Sequence, residues 1–202
     1  RAKDLAPGPI TLLGHSAGGL YALYAAANST LPIDHIITMS TPFRGLKLID
    51  NLAEEGIPVA SLAAPFCLEN LMGLRANAVK NYLSNLTLKR PLRLDVFGGY
   101  QTVGLFTINW RVLSAPLVPF QAIIKESSDG IVSVQSSLGA DDLMMRNKGV
   151  LNLVTHANHL PIEHWEMILD ADLTKLYGVL NWSDLRRAQL KVYSEVLTQS
   201  GY

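Results

Sequence analysis

The sequence predicts an α/β protein built on a mostly parallel sheet with helices on both faces. Short, largely apolar runs at 10–13, 35–40, 92–99 and 150–154 have the length and composition of strands buried in such a sheet. Segments of helical pattern separate these runs, so strands and helices alternate along the chain. A Gly-x-Ser-x-Gly motif at 14–18 joins the first run to an Ala-rich helical stretch, where a sharp strand-to-helix turn is expected.

Composition restricts the class of protein. The chain has 202 residues, of which 49% are hydrophobic, and this favours one large folded domain over two small ones. Lys and Arg number 17, as do Asp and Glu, and they form no dense basic face for nucleic acid. Cys67 is the single cysteine, so neither an intrachain disulfide nor a Cys-based zinc site can form. No apolar run approaches the roughly 18–20 residues of a membrane span.

The first elements form a strand–helix–strand unit. A strand at 10–13, a helix at 17–28 and a strand at 35–40 imply a right-handed crossover and parallel pairing. Range 45–90 then loses strand character and becomes helical. Since connections in compact domains usually have about 2–6 residues, we expect this insertion to form a helical cap over the site.

The second half of the chain contains a less regular region. Range 102–125 is apolar and interrupted by prolines, which predicts a loop lining a pocket, and its segment 117–120 favours an apolar substrate. Range 131–134 is predicted to be a short strand or strand-like segment. The strand at 150–154 ends before a histidine-rich segment, and range 184–197 predicts a closing amphipathic helix.

The serine of the motif, Ser16, is the candidate nucleophile. Small residues at Gly14 and Gly18 are expected to let the chain fold back, so that the Ser16 hydroxyl stands above the end of the sheet. The backbone N–H of Ala17 then lies at a helix N-terminus and points to where an oxyanion would form.

A serine hydroxyl is a poor nucleophile unless a base accepts its proton and a carboxylate orients that base. In folds with such an elbow the order along the chain is Ser, acid, His. Asp129 fits the acid because it lies in a turn after the third strand. Asp95 lies inside a strand and should point across the sheet, and Asp141 and Asp142 lie in a polar stretch.

The base is harder to choose, because His156, His159 and His164 follow the fourth strand closely. Spacing alone does not separate His156 from His159. His15 precedes Ser16 directly and should point away from it. The i, i+3 pair of His156 and His159 lacks the carboxylate spacing of a zinc site, so no metal is predicted.

Four blocks of the sequence together resemble one known family, the bacterial secreted triacylglycerol lipases of the α/β-hydrolase superfamily. The blocks are Gly14–Gly19, Ser40–Gly45, Asp129–Ser133 and Asn158–Leu160. The resemblance implies that Ser16, Asp129 and His159 form a catalytic triad and that the protein hydrolyses esters. It also implies an extracytoplasmic location and no cofactor.

The chain departs from that family in three places. Segment 134–137 lacks the cysteine often found after the acid turn, and Pro161 replaces a frequent calcium-ligating Asp, so neither a disulfide nor calcium is implied. Only 15 residues precede Ser16, fewer than one strand–helix–strand unit of at least 30 residues needs. We therefore expect range 1–202 to be the C-terminal portion of an α/β-hydrolase domain, with its N-terminal strands and second oxyanion donor on a missing segment.

The sequence thus predicts a serine hydrolase of the lipase or esterase type that acts on a small-molecule or lipid ester. It leaves contact with a lipid interface open. Two other interpretations also stay open. The same triad could serve an acyltransferase, a thioesterase or an amidase, and a chain with an incomplete oxyanion hole could be a non-catalytic, hydrolase-like binding module.

Overall fold

The computed structural model describes four stretches of the chain. They are residues 8–56, 72–100, 123–160 and 182–202, and within them the description covers the backbone alone at 157–159, 182–185 and 188. Segment 117–120 and most of range 102–125 lie outside the described residues, as does range 57–71 of the expected cap.

Four strands form a parallel sheet in the described part of the chain. They are β1 (Ile10–His15), β2 (Ile33–Met39), β3 (Leu92–Gly99) and β4 (Leu151–Leu160). Their order across the sheet follows their order along the chain, and each pairs with the next in parallel. All four carboxyl ends therefore meet at one edge, which is where α/β sheets bind ligands.

Helices cover both faces of the sheet. Those described are α1 (Ala17–Asn28), α2 (Lys47–Glu54), α3 (Ala76–Asn85), α4 (Val134–Leu138), α5 (Asp141–Arg146) and α6 (Trp182–Ser200). On one face Leu23 of α1 and Leu83 of α3 belong to the same buried cluster as Leu94 of β3. On the other face Val196 of α6 packs with Phe97 of β3. The predicted α/β fold with a parallel sheet is confirmed.

Burial of both faces explains why the strands look continuously apolar in the sequence. Neighbouring residues of a strand point to opposite faces. Ile36 joins the cluster under α1 and α3, whereas Ile37 joins the cluster under α6, and both side chains are 0% exposed. Within the described residues, no helix combines the length and apolar character that crossing a membrane requires.

Local patterns predicted some boundaries well and others poorly. The helix at 17–28 and the strand at 92–99 begin and end as predicted. The predicted strand at 131–134 is wrong, because after one isolated bridge the chain turns into α4. The reason is local, since the Ser133 hydroxyl accepts the backbone N–H of Ser136 at 3.1 Å and caps that helix.

The fourth strand is also longer than predicted. β4 continues through His156 as far as Leu160, so neither His156 nor His159 lies in a loop after the strand. Pairing with β3 holds this extension, because His156 is in register with Phe97 and Leu160 with Gly99.

Candidate active site

Ser16 occupies the sharp turn between β1 and α1. Its backbone has φ 55° and ψ −134°, a conformation that costs a non-glycine residue of order 1–3 kcal/mol. The Ser16 N–H donates to the carbonyl of Met39 at 3.0 Å, which ties the turn to the end of β2. A strained residue held in place by its neighbours is typical of a functional position.

Lack of space for a Cβ explains two of the glycines around Ser16. A Cβ on Gly14 would lie 2.6 Å from Cα of Gly19, and a Cβ on Gly19 would lie 2.1 Å from Oγ1 of Thr41. Gly18 is different, because a Cβ there would have no described atom within 4 Å. The expected pair of small residues, Gly14 and Gly18, is therefore corrected to Gly14 and Gly19.

Ala17 begins α1 and lines a cavity of about 430 Å³, within the range of ligand-sized pockets. The cavity lies between α1 and α3, and its lining is mostly apolar. The residues that line it are Ala17, Leu20, Tyr21, Tyr24, Gly73, Leu74, Val79 and Tyr82. The residue that follows Ser16 thus lies on the wall of a space large enough for part of an apolar substrate, although Ser16 is not among the lining residues.

Tyr82 gives this cavity a polar group of fixed orientation. Its hydroxyl donates to the carbonyl of Leu20 at 2.9 Å. Burial, with a smaller contribution from Tyr24, raises the pKa of Tyr82 to about 12. The phenol therefore stays neutral at physiological pH, and the wall of the cavity at Tyr82 carries no charge.

Asp129 is fully buried in the turn that precedes α4. Its Oδ1 accepts the backbone N–H groups of Ile131 at 3.0 Å and Val132 at 2.8 Å. Gly130, with φ 97°, supplies the turn conformation. Hydrogen bonds from backbone N–H groups stabilise the ionised form of a carboxylate. A carboxylate that orients a catalytic histidine acts in this ionised form.

Contacts of α4 place this turn near the carboxyl edge of the sheet. A Cβ on Gly98 of β3 would lie 3.6 Å from side-chain atoms of Ser137 and Val134. The Ser136 hydroxyl donates to the carbonyl of Gly45 at 2.6 Å, and the Phe43 N–H donates to the carbonyl of Ser136 at 3.1 Å. The loop after β2 and the segment after the acid turn are thus fastened to each other.

His159 lies in a bulge at the end of β4. The register passes from Phe97 opposite His156 to Gly99 opposite Leu160, so β3 advances two residues while β4 advances four. Bulges of this kind redirect side chains and are frequent beside active sites. The side chain of His159 itself lies outside the described residues, so its contacts with Ser16 or Asp129 stay a prediction.

His156, the other candidate base, is engaged on the face of the sheet that packs against α6. Its Nε2 donates to Oδ1 of Asp95 at 2.6 Å, and its ring stacks on Phe97 with 4.0 Å between centroids. Its side chain is only 12% exposed. These contacts assign His156 a place inside the packed sheet, whereas His159 lies nearer the strand's carboxyl end.

Asp95 is the centre of a buried polar network that joins three strands. Its Oδ2 accepts Nε2 of His35 at 2.6 Å, and Arg93 donates to both carboxylate oxygens, at 2.7 and 3.1 Å. Nδ1 of His35 and the hydroxyl of Tyr202 are hydrogen-bonded at 3.1 Å. As predicted, Asp95 points across the sheet, where it contacts side chains of both neighbouring strands.

Hydrogen bonding decides the charge of Asp95. Burial alone would raise its pKa, but side-chain hydrogen bonds from Arg93, His156 and His35 outweigh that effect and lower it. The carboxylate is therefore ionised at neutral pH, and both imidazole Nε2 atoms are used as donors to it. Within the described ranges, no three His, Cys, Asp or Glu side chains are arranged to bind a metal ion.

Acid should weaken this network. A folded-state pKa below the unfolded value means that ionised Asp95 stabilises the fold above about pH 4–5, and that this contribution is lost as pH falls through the folded pKa. We expect Asp95→Asn to lower the free energy of unfolding at pH 7 by about 3–5 kcal/mol, because the amide leaves buried donors unpaired. Urea denaturation at pH 7, 5, 4 and 3 measures both effects.

The stability of Asp95→Asn should also depend less on pH than that of the wild type. Its unfolding free energy should change less between pH 5 and pH 3 than that of the wild type. Asp34→Asn, at an exposed position of β2, is the matched control and should leave both the stability at pH 7 and its pH dependence unchanged. Parallel curves for Asp95→Asn and the wild type would contradict the role given to this carboxylate.

Comparisons with known proteins identify the architecture. The chain superposes on the mature form of the lipase BlEst2 from Bacillus licheniformis with a TM-score of 0.55 and 12% identity, covering 87% of this chain and 66% of that one. The fold is lipase-like. The propeptide form of BlEst2 gives a TM-score of 0.50 at 13% identity, with 89% of this chain and 38% of that chain covered.

A lipase from Staphylococcus hyicus is also similar, with a TM-score of 0.47, 14% identity, and coverage of 99% of this chain and 73% of that one. No family model matches the chain, and no curated protein matches it in sequence. The chain spans 66% of the mature BlEst2 chain, just under two thirds. At these identities the likeness shows the fold.

Sequence reasoning missed several residues of the site region. Thr41 belongs to the Ser-Thr-Pro segment after β2, and its contact with Gly19 could not be inferred from spacing. Tyr21 and Tyr24 are three residues apart on α1, a spacing that could have indicated a shared face of the cavity. Asp95 inside an apolar strand was a signal of buried partners.

Proposed function

We propose that the chain carries the reacting groups of a serine ester hydrolase, with Ser16 as nucleophile, His159 as base and Asp129 as acid. One observation carries the proposal, the strained backbone of Ser16 between β1 and α1 with Ala17 as the first helical residue. Ser40 also has a positive φ after a strand, but no helix begins directly after it and its hydroxyl accepts the N–H of Gly99. The lipase-like fold supports the same reaction class.

In the first half of the proposed reaction, Ser16 Oγ forms a bond to the ester carbonyl carbon while its proton passes to the His159 imidazole. The carbonyl π electrons move onto the oxygen, and the Ala17 N–H stabilises the resulting oxyanion. When the tetrahedral intermediate collapses, the C–O bond to the alcohol breaks. His159 returns the proton to the departing alkoxide, which leaves as an alcohol.

In the second half, water attacks the acyl-enzyme and gives its proton to His159. Collapse of the second intermediate expels Ser16 Oγ, which takes that proton back, and the carboxylic acid leaves. Asp129 holds the imidazole in the required tautomer and stabilises the imidazolium. It can do so because Oδ1 is fixed by two backbone N–H groups, and the turn is buried from water.

The cavity beside Ala17 supports an ester with an apolar acyl or alcohol group. Its walls are apolar side chains and tyrosines, and Tyr82 stays uncharged. Burial of each methylene contributes about 0.8 kcal/mol, so a hydrocarbon chain in this space would provide useful binding energy.

A fluorophosphonate probe tests the proposal on the full chain. We expect one molecule of probe to attach per protein, mapped by peptide mass spectrometry to Ser16, and we expect hydrolysis of a nitrophenyl ester to stop in parallel. The binding-module interpretation requires no labelling and no ester turnover, so that result overturns the proposal. Faster turnover when an alcohol or amine acceptor is supplied would instead favour an acyltransferase, and preferential cleavage of an amide or a thioester would favour an amidase or a thioesterase.

A further inference from the structure

We propose that Thr41 is a positioning residue that aims the Ala17 N–H at the oxyanion. The inference rests on the proposed function and adds to it a residue from another strand. The Thr41 hydroxyl donates to the carbonyl oxygen of Ser16 at 2.9 Å. The Gly19 N–H donates to the same oxygen at 3.1 Å.

The Ser16 carbonyl and the Ala17 N–H belong to one planar peptide unit. Fixing the oxygen therefore fixes the direction of the N–H on the opposite side of that plane. A hydrogen bond to the oxygen also polarises the peptide unit, which strengthens its N–H as a donor. Thr41 thus acts on the oxyanion donor without touching the substrate.

The fold holds the Thr41 side chain in this position. Its Oγ1 and Cγ2 fill the notch left by Gly19, where a Cβ would lie 2.1 and 2.8 Å from them. The side chain is completely buried, and a β-branched residue has few alternative rotamers. The absence of a side chain at Gly19 is what lets the hydroxyl reach the Ser16 carbonyl.

The residue before Thr41 anchors this arrangement to β3. Ser40 has φ 49°, a second strained backbone conformation at the carboxyl edge of the sheet. Its N–H donates to the carbonyl of Phe97 at 2.9 Å, and its hydroxyl accepts the N–H of Gly99 at 3.2 Å. The two strained serines, at the ends of β1 and β2, therefore bring Thr41 and the elbow together.

The test compares Thr41→Val, which keeps the shape and removes the hydroxyl, with Thr41→Ser, which keeps the hydroxyl. Losing a whole oxyanion donor lowers kcat about 10²–10³-fold, so misdirecting one should cost about tenfold. We expect Thr41→Val to lower kcat about tenfold with KM unchanged. Thr41→Ser should return kcat to within about twofold of the wild type.

Inhibitor binding separates positioning from a merely structural role. A trifluoromethyl ketone adds to Ser16 Oγ and creates an oxyanion, whereas an ether of the same shape binds without one. Thr41→Val should lower the affinity for the ketone about tenfold and leave the affinity for the ether unchanged. If Thr41→Val does not fold, Thr41→Ala provides the same comparison with less crowding.

Each outcome has one meaning. A folded Thr41→Val or Thr41→Ala with wild-type kcat, or with equal losses of ketone and ether affinity, overturns the role of Thr41. If the wild type hydrolyses esters and forms the ketone adduct at Ser16, that failure leaves the proposed function intact. If the wild type forms no adduct at Ser16, the proposed function itself fails, and this inference fails with it.

Discussion

Replacing Ser16 by alanine is expected to lower kcat for a nitrophenyl ester by about 10⁶-fold, because alanine has no hydroxyl to form the proposed acyl-enzyme. Binding of the ester should change little, since the cavity beside Ala17 keeps its walls. Stopped-flow measurement of nitrophenol release gives both the burst and the steady state. Ser84→Ala, at an exposed position on α3, is the matched control and should behave like the wild type.

The strained backbone of Ser16 allows chemistry and folding to be separated. Alanine at φ 55° keeps the strain, so Ser16→Ala should unfold at nearly the wild-type temperature. Glycine adopts positive φ without penalty, so Ser16→Gly should gain about 1 kcal/mol of unfolding free energy. Both variants should be inactive. Retained burst kinetics in Ser16→Ala, measured against Ser84→Ala, would contradict the nucleophile assignment.

The fold could be predicted where local pattern and final environment agree. The helix at 17–28 and the strand at 92–99 were predicted with their observed ends, because an Ala-rich stretch and an apolar run each have one favourable structure. Range 131–134 also looked like a strand. Instead, the hydroxyl of Ser133 caps α4 and favours the helix, and a hydrophobic pattern does not reveal an interaction of this kind.

Only those residues of the candidate site that belong to a local sequence motif could be predicted. Ser16 and Asp129 can be predicted as site residues because an elbow and a turn have sequence signatures, and the structure adds the strain of one and the hydrogen bonds of the other. The Gly19–Thr41 contact joins segments from two strands. Contacts of that kind depend on how β1 and β2 pair, which spacing along the chain does not give.

The two histidines of β4 provide the second large prediction. We expect His159→Ala to lower kcat about 10⁶-fold, because without a base the Ser16 hydroxyl keeps its proton. We expect His156→Ala to keep kcat within a few-fold of the wild type. It should instead lower the free energy of unfolding by about 1–3 kcal/mol, since Asp95 loses a buried hydrogen bond.

This pair of variants is its own control, because the same side chain is removed from positions three residues apart. Activity measurements should show a loss for His159→Ala alone, and urea denaturation should show a loss of stability for His156→Ala. The reverse pattern has an equally definite meaning. If His156→Ala were inactive and His159→Ala active, the acid would be Asp95, which already holds Nε2 of His156 at 2.6 Å, and Asp129 would be reduced to a buried turn residue. The opposite losses we expect would leave Asp95 with a structural role alone and Asp129 as the carboxylate available to orient the base.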